Sequence, residues 1–213
     1  MQTKIDIEIV TGFIGSGKTY FINTLIKNTF LFMEKVLIIQ NEQGISQMED
    51  SIINSKNIVL EQYDPQLKLN SNYINSMIDK YKPHRIIIEY NGTKDLIELV
   101  DIISQELTNT CKISSVFYIS DINTYSMFLS NMPGLILPCI YHSNLIILNN
   151  CTNITKDKLK EIKSNINKLN RDTFIADIDK MDSLEKELQY MAILDGGFLK
   201  FLRISLKTIL SKI

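Results

Sequence analysis

The chain has 213 residues, enough for one sizeable α/β domain, and its 45 % hydrophobic and 22 % charged content is that of an ordinary globular protein. A formal net charge of −1 gives bulk electrostatics no purchase on nucleic acid or an anionic membrane. The longest apolar stretch, 134–148, is interrupted by Pro138, His142, Ser143 and Asn144 and is too short to span a bilayer. The first residues lack a signal-peptide pattern, and Cys111, Cys139 and Cys151 lack metal or disulfide spacing, so a reducing, cytoplasmic setting is expected.

The chain opens with an alternating apolar strand at 5–10, and Gly12-Phe13-Ile14-Gly15-Ser16-Gly17-Lys18-Thr19 follows it. This matches G-x-x-x-x-G-K-[ST] in full, and a helix pattern over 17–29 comes next, so strand, loop and helix start stand in the order the motif needs. The backbone around Gly12, Gly15, Ser16 and Gly17 would cradle phosphate oxygens at a helix N-terminus. Lys18 would reach the β- and γ-phosphates, and the Thr19 hydroxyl would ligate Mg²⁺. A nucleoside triphosphate, GTP or ATP, is the expected ligand.

A second strand is predicted at 35–40 and is followed by Asn41-Glu42-Gln43-Gly44. Glu42 is a candidate metal or water ligand there, and Asn41 a residue that orders the loop beside the nucleotide; a plain turn is the competing reading. A strand at 57–60 and a helix at 67–81 come next. The apolar run 85–89 ends in Glu89, as a Walker B strand ends in its acid, where a carboxylate holds Mg²⁺ or polarises the attacking water. Gly92, without a Cβ, would let its N–H approach the γ-phosphate, the competing reading being a helix cap with a turn glycine.

A helix at 94–107, a strand at 113–120 and a helix at 122–131 follow, with Asp121 read as either N-cap or site residue. The Met and aromatic residues of 117–132 read as core or interface. The run 144–149 is a strand ending at Asn149-Asn150-Cys151-Thr152, and 155–169 is a helix with a solvated lysine face. A strand at 173–176 and a helix at 182–212 close the chain. His84 and His142 have no ligand partners at metal-site spacing. Strands separated by helices predict right-handed crossovers and a mainly parallel sheet, with polar residues gathered beyond its carboxyl ends.

In this order, GFIGSGKT, NEQG, IIIEYNG and a strand ending NNCT resemble the CobW/HypB/UreG family of P-loop GTPases over about 1–175. The resemblance implies a three-layer, doubly wound sheet with helices on both faces; since no linker or repeat marks a boundary, one domain ending in the 182–212 helix is expected. It also implies slow Mg²⁺-dependent GTP hydrolysis coupled to metal delivery or cofactor insertion. Lys18 and Thr19 carry over as phosphate and Mg²⁺ contacts, Glu42 and Glu89 as metal or water ligands, and Gly92 as γ-phosphate sensor. A homodimer and a metalloprotein or cofactor-assembly client are implied in the same way.

Three departures follow. The family's CxCC motif is missing from 45–67, where Leu60-Glu61-Gln62-Tyr63-Asp64-Pro65 stands, so a soft-metal thiolate site is not expected. The base-reading NK-x-D becomes Asn149-Asn150-Cys151-Thr152; Asn149 remains a candidate base contact, but losing the charged acceptor should cost on the order of 2–3 kcal/mol of guanine preference. The chain also stops near the end of the GTPase core. Intact phosphate motifs beside altered metal and base motifs favour a nucleotide hydrolase acting as a switch. The alternative is a non-catalytic nucleotide-binding scaffold, with a small-molecule kinase ranked below both for want of a basic lid cluster.

Overall fold

The computed structural model describes residues 4–42 and 48–186. Seven parallel strands form one sheet: β1 (Ile5–Gly12), β2 (Val36–Gln40), β3 (Ile58–Gln62), β4 (Arg85–Asn91), β5 (Cys111–Asp121), β6 (Leu145–Asn149) and β7 (Phe174–Asp177). Their order is β3-β2-β4-β1-β5-β6-β7, so strands are added first on one side of β1 and then on the other, and the sheet is doubly wound. The strand register Ile9↔Ile88 and Val10↔Glu89 brings the ends of β1 and β4 level, which sets Glu89 beside the loop that follows β1.

The helices are α1 (Lys18–Thr29), α2 (Asp50–Ile53), α3 (Ser71–Tyr81), α4 (Leu96–Asp101), α5 (Ile122–Asn131), α6 (Pro133–His142) and α7 (Lys156–Leu169). Alternation along the strands divides the core between the two faces. Val10, Ile38, Ile87 and Ile147 face α1, whose Phe21, Ile22, Leu25 and Ile26 are buried against them. Ile9, Leu37, Ile88 and Leu148 face the other way, toward Ile74 of α3, Leu99 of α4, Tyr125 of α5 and Ile162 of α7. Each such apolar side chain stabilises by about 1.5–3 kcal/mol, and α1 is anchored by four of them. Among the described residues no helix is long and apolar enough to cross a membrane.

Predicted elements and structure differ in four places, the first being the short α2 at Asp50–Ile53, which has no predicted counterpart. The 67–81 helix starts only at Ser71, because the Asn70 side chain accepts the Tyr73 N–H and caps it there. The 94–107 helix changes after Asp101 into a π-helical stretch, Ile102–Glu106, with Leu107 N–H donating to the Ile102 carbonyl. Leu99, Ile103 and Leu107 are all buried, at the i, i+4, i+8 spacing that keeps them on one face. Helix α6 has no counterpart among the predicted elements. Pro133 starts it at the first position, where a missing N–H is harmless. Pro138 inside it is carried by the burial of Ile136, Cys139 and Ile140. Beyond residue 186 the predicted 182–212 helix lies outside the described residues, as do Gln43 and Gly44.

Candidate nucleotide-binding site

The loop from β1 to α1 turns on three glycines with positive φ: Gly12 at +149°, Gly15 at +77° and Gly17 at +105°. At Gly12 the constraint is also spatial, since a Cβ would stand 2.1 Å from the Ile119 carbonyl oxygen. Ser16 N–H donates to the Phe13 carbonyl at 3.2 Å and closes the loop. Helix α1 then begins at Lys18 with no acid in its first turn, so its positive dipole end meets the loop unneutralised. The Ser16 Oγ is buried without a hydrogen-bond partner among the described residues. A buried hydroxyl of this kind is costly by itself and suits a ligand oxygen. Phe13 stacks on Phe128 of α5 with ring centroids 4.0 Å apart, which braces the loop from the β5 side.

Lys18 is 3 % exposed and its Nζ points back into the loop. It donates to the Gly12 carbonyl at 2.8 Å and the Phe13 carbonyl at 3.0 Å, and it pairs with Glu42 Oε2 at 2.5 Å. The three ammonium protons thus have three acceptors. Next to it, the Thr19 hydroxyl donates to Glu89 Oε1 at 2.7 Å, and the Gln40 amide donates to Glu89 Oε2 at 2.6 Å. Burial pushes the Glu89 carboxyl above the usual carboxylate range, against the pull of those two hydrogen bonds and of Lys18. Sequence separations of 24 to 70 residues collapse here: Lys18, Thr19, Glu42 and Glu89, each predicted for the site, meet at the ends of β1, β2 and β4.

The other predicted residues are placed as follows. Gly92 lies against the loop: its N–H donates to the Gly12 carbonyl at 3.0 Å, and a Cβ on it would be 2.5 Å from the Gly12 carbonyl carbon. Asn41 is fully buried, its amide donating to the Asp64 carbonyl at 3.2 Å and its Oδ1 accepting from Lys94 Nζ at 2.8 Å. That carboxamide is spent on tying the ends of β2 and β3 to the loop after β4. Asn149 is likewise engaged: Nδ2 donates to the Ser16 carbonyl at 3.2 Å, and Oδ1 accepts the Asn150 N–H at 2.7 Å. It holds the phosphate loop in place, and a base would have to compete for its amide. Asp121 is the N-cap of α5, accepting the Asn123 N–H at 2.9 Å.

The cysteines pack as small apolar groups, with Cys111 at 1 % and Cys139 at 2 % exposure. Within the 117–132 segment, Tyr118 and Tyr125 are core residues, whereas Met127 is exposed.

Two residues of this frame were not singled out from the sequence, Gln40 and Lys94. Gln40 is the polar last residue of a buried strand, a signal that was readable. Lys94, whose Nζ also donates to the Leu67 carbonyl at 2.6 Å, gains its place only through the fold. Burial lowers the Lys94 pKa against the neighbouring Asp64 and Glu98 carboxylates. Beside this frame a cleft of about 860 Å³ opens, lined by Ile14, Gln40, Glu42, Asp64, Asn91 and Thr93 among others.

A family model described as CobW/HypB/UreG, nucleotide-binding domain, matches residues 6–177. Among solved structures the chain is similar to the Zn(II)-bound YjiA GTPase from E. coli, at 16 % identity and a TM-score of 0.57 over 83 % of this chain and 60 % of that one. It is similar to the hydrogenase maturation factor HypB from Archaeoglobus fulgidus, at 17 % identity and a TM-score of 0.57 over 90 % of each chain. It is also similar to FtsY from Mycoplasma mycoides, at 17 % identity and a TM-score of 0.53 over 93 % of this chain and 70 % of that one. At such identities these three likenesses establish the fold alone. No curated protein sequence matches the chain. The chain thus spans 60 % of the YjiA structure's length.

Proposed function

The chain belongs to the CobW/HypB/UreG family of nucleotide-binding domains, and from that premise we propose that it is a Mg²⁺-dependent nucleoside triphosphatase acting as a switch. The observation that carries the proposal is the cluster at the start of α1, where the Lys18 ammonium lies beside the 2.7 Å contact between the Thr19 hydroxyl and Glu89. A lysine for phosphate charge and a hydroxyl–carboxylate pair for a hard cation are the protein's share of phosphoryl-transfer chemistry.

The donor set suits Mg²⁺. That ion keeps several waters and takes one or two protein oxygens together with substrate phosphates. Thr19 and Glu89 supply such oxygens, and among the described residues no group of three or more His, Cys, Asp or Glu gathers into an all-protein cage. When bound, Mg²⁺ would neutralise charge on the β- and γ-phosphate oxygens. The residues of the chain do the rest of the positioning. Lys18 exchanges Glu42 for a phosphate oxygen, since its other two protons stay with the loop carbonyls. Glu42, released from the pair, would orient and deprotonate the attacking water, and Glu89, where it does not ligate the cation, would polarise that water. Gly92 N–H, next to the Gly12 carbonyl, is the amide that would meet the terminal phosphate.

GTP is the favoured nucleotide through family membership, with ATP as the competitor. Its likeness to a Zn(II)-bound GTPase and a hydrogenase maturation factor supports a role in metal-related assembly with a metalloprotein client, and a homodimeric state is proposed from family membership alone. The supply of nucleoside triphosphate and Mg²⁺ points to the cytoplasm. A second reading, a nucleotide-binding scaffold without turnover, is favoured by Thr152, which lacks the carboxylate of a base-reading motif. Calorimetry with Mg²⁺ and GTP or ATP tests the proposal, with Lys18→Ala as the control expected to lose binding. Phosphate release above that control supports hydrolysis, tight binding without release supports the scaffold, and no binding by the wild type refutes both.

A further inference from the structure

We infer that Asp179, in the turn after β7, selects guanine by accepting hydrogen bonds from the N1–H and exocyclic amine of the bound base. This rests on the nucleotide-binding reading above and adds to it the residue that chooses the purine. The argument begins with direction. Thr19, Gln40 and Glu89 lie on the β2–β4 side of β1, where a cation and terminal phosphate belong, whereas β5, β6 and β7 lie on the other side. A nucleotide with its phosphates on the loop therefore extends its sugar and base over the carboxyl ends of β5–β7.

Two contacts bring those strand ends to the loop. Asn149 at the end of β6 holds the Ser16 carbonyl. Met181, after β7, lies against the Gly17 α-carbon, where an added Cβ would meet its side chain at 2.9–3.0 Å.

Of the carboxylates near this edge, Asp121 and Asp177 are engaged by other groups, and Asp182 lies beside Tyr20 of α1. Asp121 caps α5 through Oδ1, and its Oδ2 accepts from Asn150 Nδ2 at 2.8 Å. Asp177 pairs with Lys163. Asp182 sits close to Tyr20 on α1, whose hydroxyl is pushed up by burial and then by that charge. Asp179 is exposed, and among the described residues no hydrogen bond or ion pair takes its carboxylate.

The backbone around Asp179 is nonetheless pinned. The Thr152 hydroxyl donates to the Asp179 carbonyl at 3.2 Å, Cys151 N–H to the Ile178 carbonyl at 3.0 Å, and Ile178 N–H to the Leu148 carbonyl at 2.9 Å. The same bond occupies Thr152, so the turn after β7, rather than the β6 end, presents the open acceptor. A carboxylate only accepts hydrogen bonds, and guanine offers two donors on one edge. Adenine offers a donor and an acceptor there, and its acceptor nitrogen would face the carboxylate unpaired.

The test measures binding of GDP, ADP and xanthosine diphosphate, each with Mg²⁺, to the wild-type full chain and to Asp179→Asn, Asp179→Ala and Asp121→Asn. The wild type is expected to favour GDP over ADP by about tenfold or more. Asp179→Asn should lose about tenfold in GDP affinity and gain about tenfold for xanthosine diphosphate, because an amide's donor and acceptor match the xanthine 2-oxo group and N1–H. Asp179→Ala should lose the guanine preference without the xanthine gain, and ADP affinity should hold in both. Unchanged GDP affinity in Asp179→Asn, a loss that follows Asp121→Asn instead, or equal wild-type affinity for GDP and ADP overturns the inference while the phosphate-site reading stands. Failure of the wild type to bind any of the three overturns both.

Discussion

Gly92→Ala probes the contact between the end of β4 and the phosphate loop. The new Cβ would stand 2.5 Å from the Gly12 carbonyl carbon, 2.6 Å from its oxygen and 2.8 Å from the Phe13 nitrogen. Carbon atoms rest at about 3.5 Å, so the shortfall is about 1 Å. All three neighbours are backbone, and no rotamer change relieves them. The loop and the strand end must separate, at a cost of about 1–3 kcal/mol for overpacking. Separation also weakens the 3.0 Å bond from Gly92 N–H to the Gly12 carbonyl, worth about 0.5–1.5 kcal/mol net. The total of about 2–4 kcal/mol lowers Tm by about 5–15 °C in a chain of this size.

Phosphate binding should weaken by about tenfold or more, since the loop that aligns the amides has moved by about 1 Å. Thermal unfolding by circular dichroism and calorimetry with di- and triphosphates read the two effects. Gly134→Ala, where a Cβ meets nothing within 4 Å inside α6, is the comparator and should be neutral or stabilising by up to about 1 kcal/mol. A Gly92→Ala protein with unchanged Tm and unchanged affinities refutes the packing argument. A loss confined to triphosphates, with Tm intact, would leave Gly92 only the γ-phosphate sensing part.

Other consequences are independent of that glycine. Arg85, 2 % exposed at the start of β4, pairs with Glu8, lies 3.9 Å from Glu34 and donates to the Thr29 hydroxyl at 2.9 Å. Arg85→Met deprives the 1 %-exposed Glu34 of that cation and should cost about 3–5 kcal/mol in denaturant unfolding. Nucleotide affinity should hold, since Arg85 sits at the far end of the strand from Glu89, and adding Glu34→Gln should restore part of the stability; no recovery would contradict the pairing argument. Because the Glu89 pKa is raised, its carboxylate is protonated at a higher pH than an ordinary one as the medium is acidified. Mg²⁺-coupled nucleotide affinity should therefore fall, as pH drops, above the usual carboxylate range, and Glu89→Gln should remove that step. The fold itself pays a desolvation penalty for the charged form, present above the raised pKa and relieved below it. Burial raises Cys139 to about 12 and Cys151 to about 11, so native protein at pH 8 should react with a thiol reagent far more slowly than unfolded protein; rapid native labelling of either would contradict their burial.

Much of the site was legible because its motifs sit at strand ends, where local pattern and global position coincide. An apolar run followed by GFIGSGKT names both the strand and the loop, and a run ending in Glu89 names the neighbouring carboxylate. Gln40 carries a weaker signal, because a polar residue closing a buried strand also reads as a plain boundary. Helix α6 was overlooked because Pro133, Gly134 and Pro138 are breakers by local propensity, and only burial of Ile136, Cys139 and Ile140 against the sheet offsets them.

The amino-acid order by itself determined the alternation of strands and helices, the phosphate loop, the acid after β2 and the acid near the end of β4, since these depend on spacing along the chain. It did not determine the partner of any of those groups. That Lys18 meets Glu42, that Thr19 meets Glu89, and that Asn41 and Asn149 spend their amides on the frame follows from the strand order, which brings β1, β2, β4 and β6 ends into range. Gly92 shows the division most plainly. Its lack of a side chain is visible in the sequence, but the atoms that forbid one belong to Gly12 and Phe13, 80 and 79 residues earlier, and only the parallel pairing of β1 with β4 puts them there.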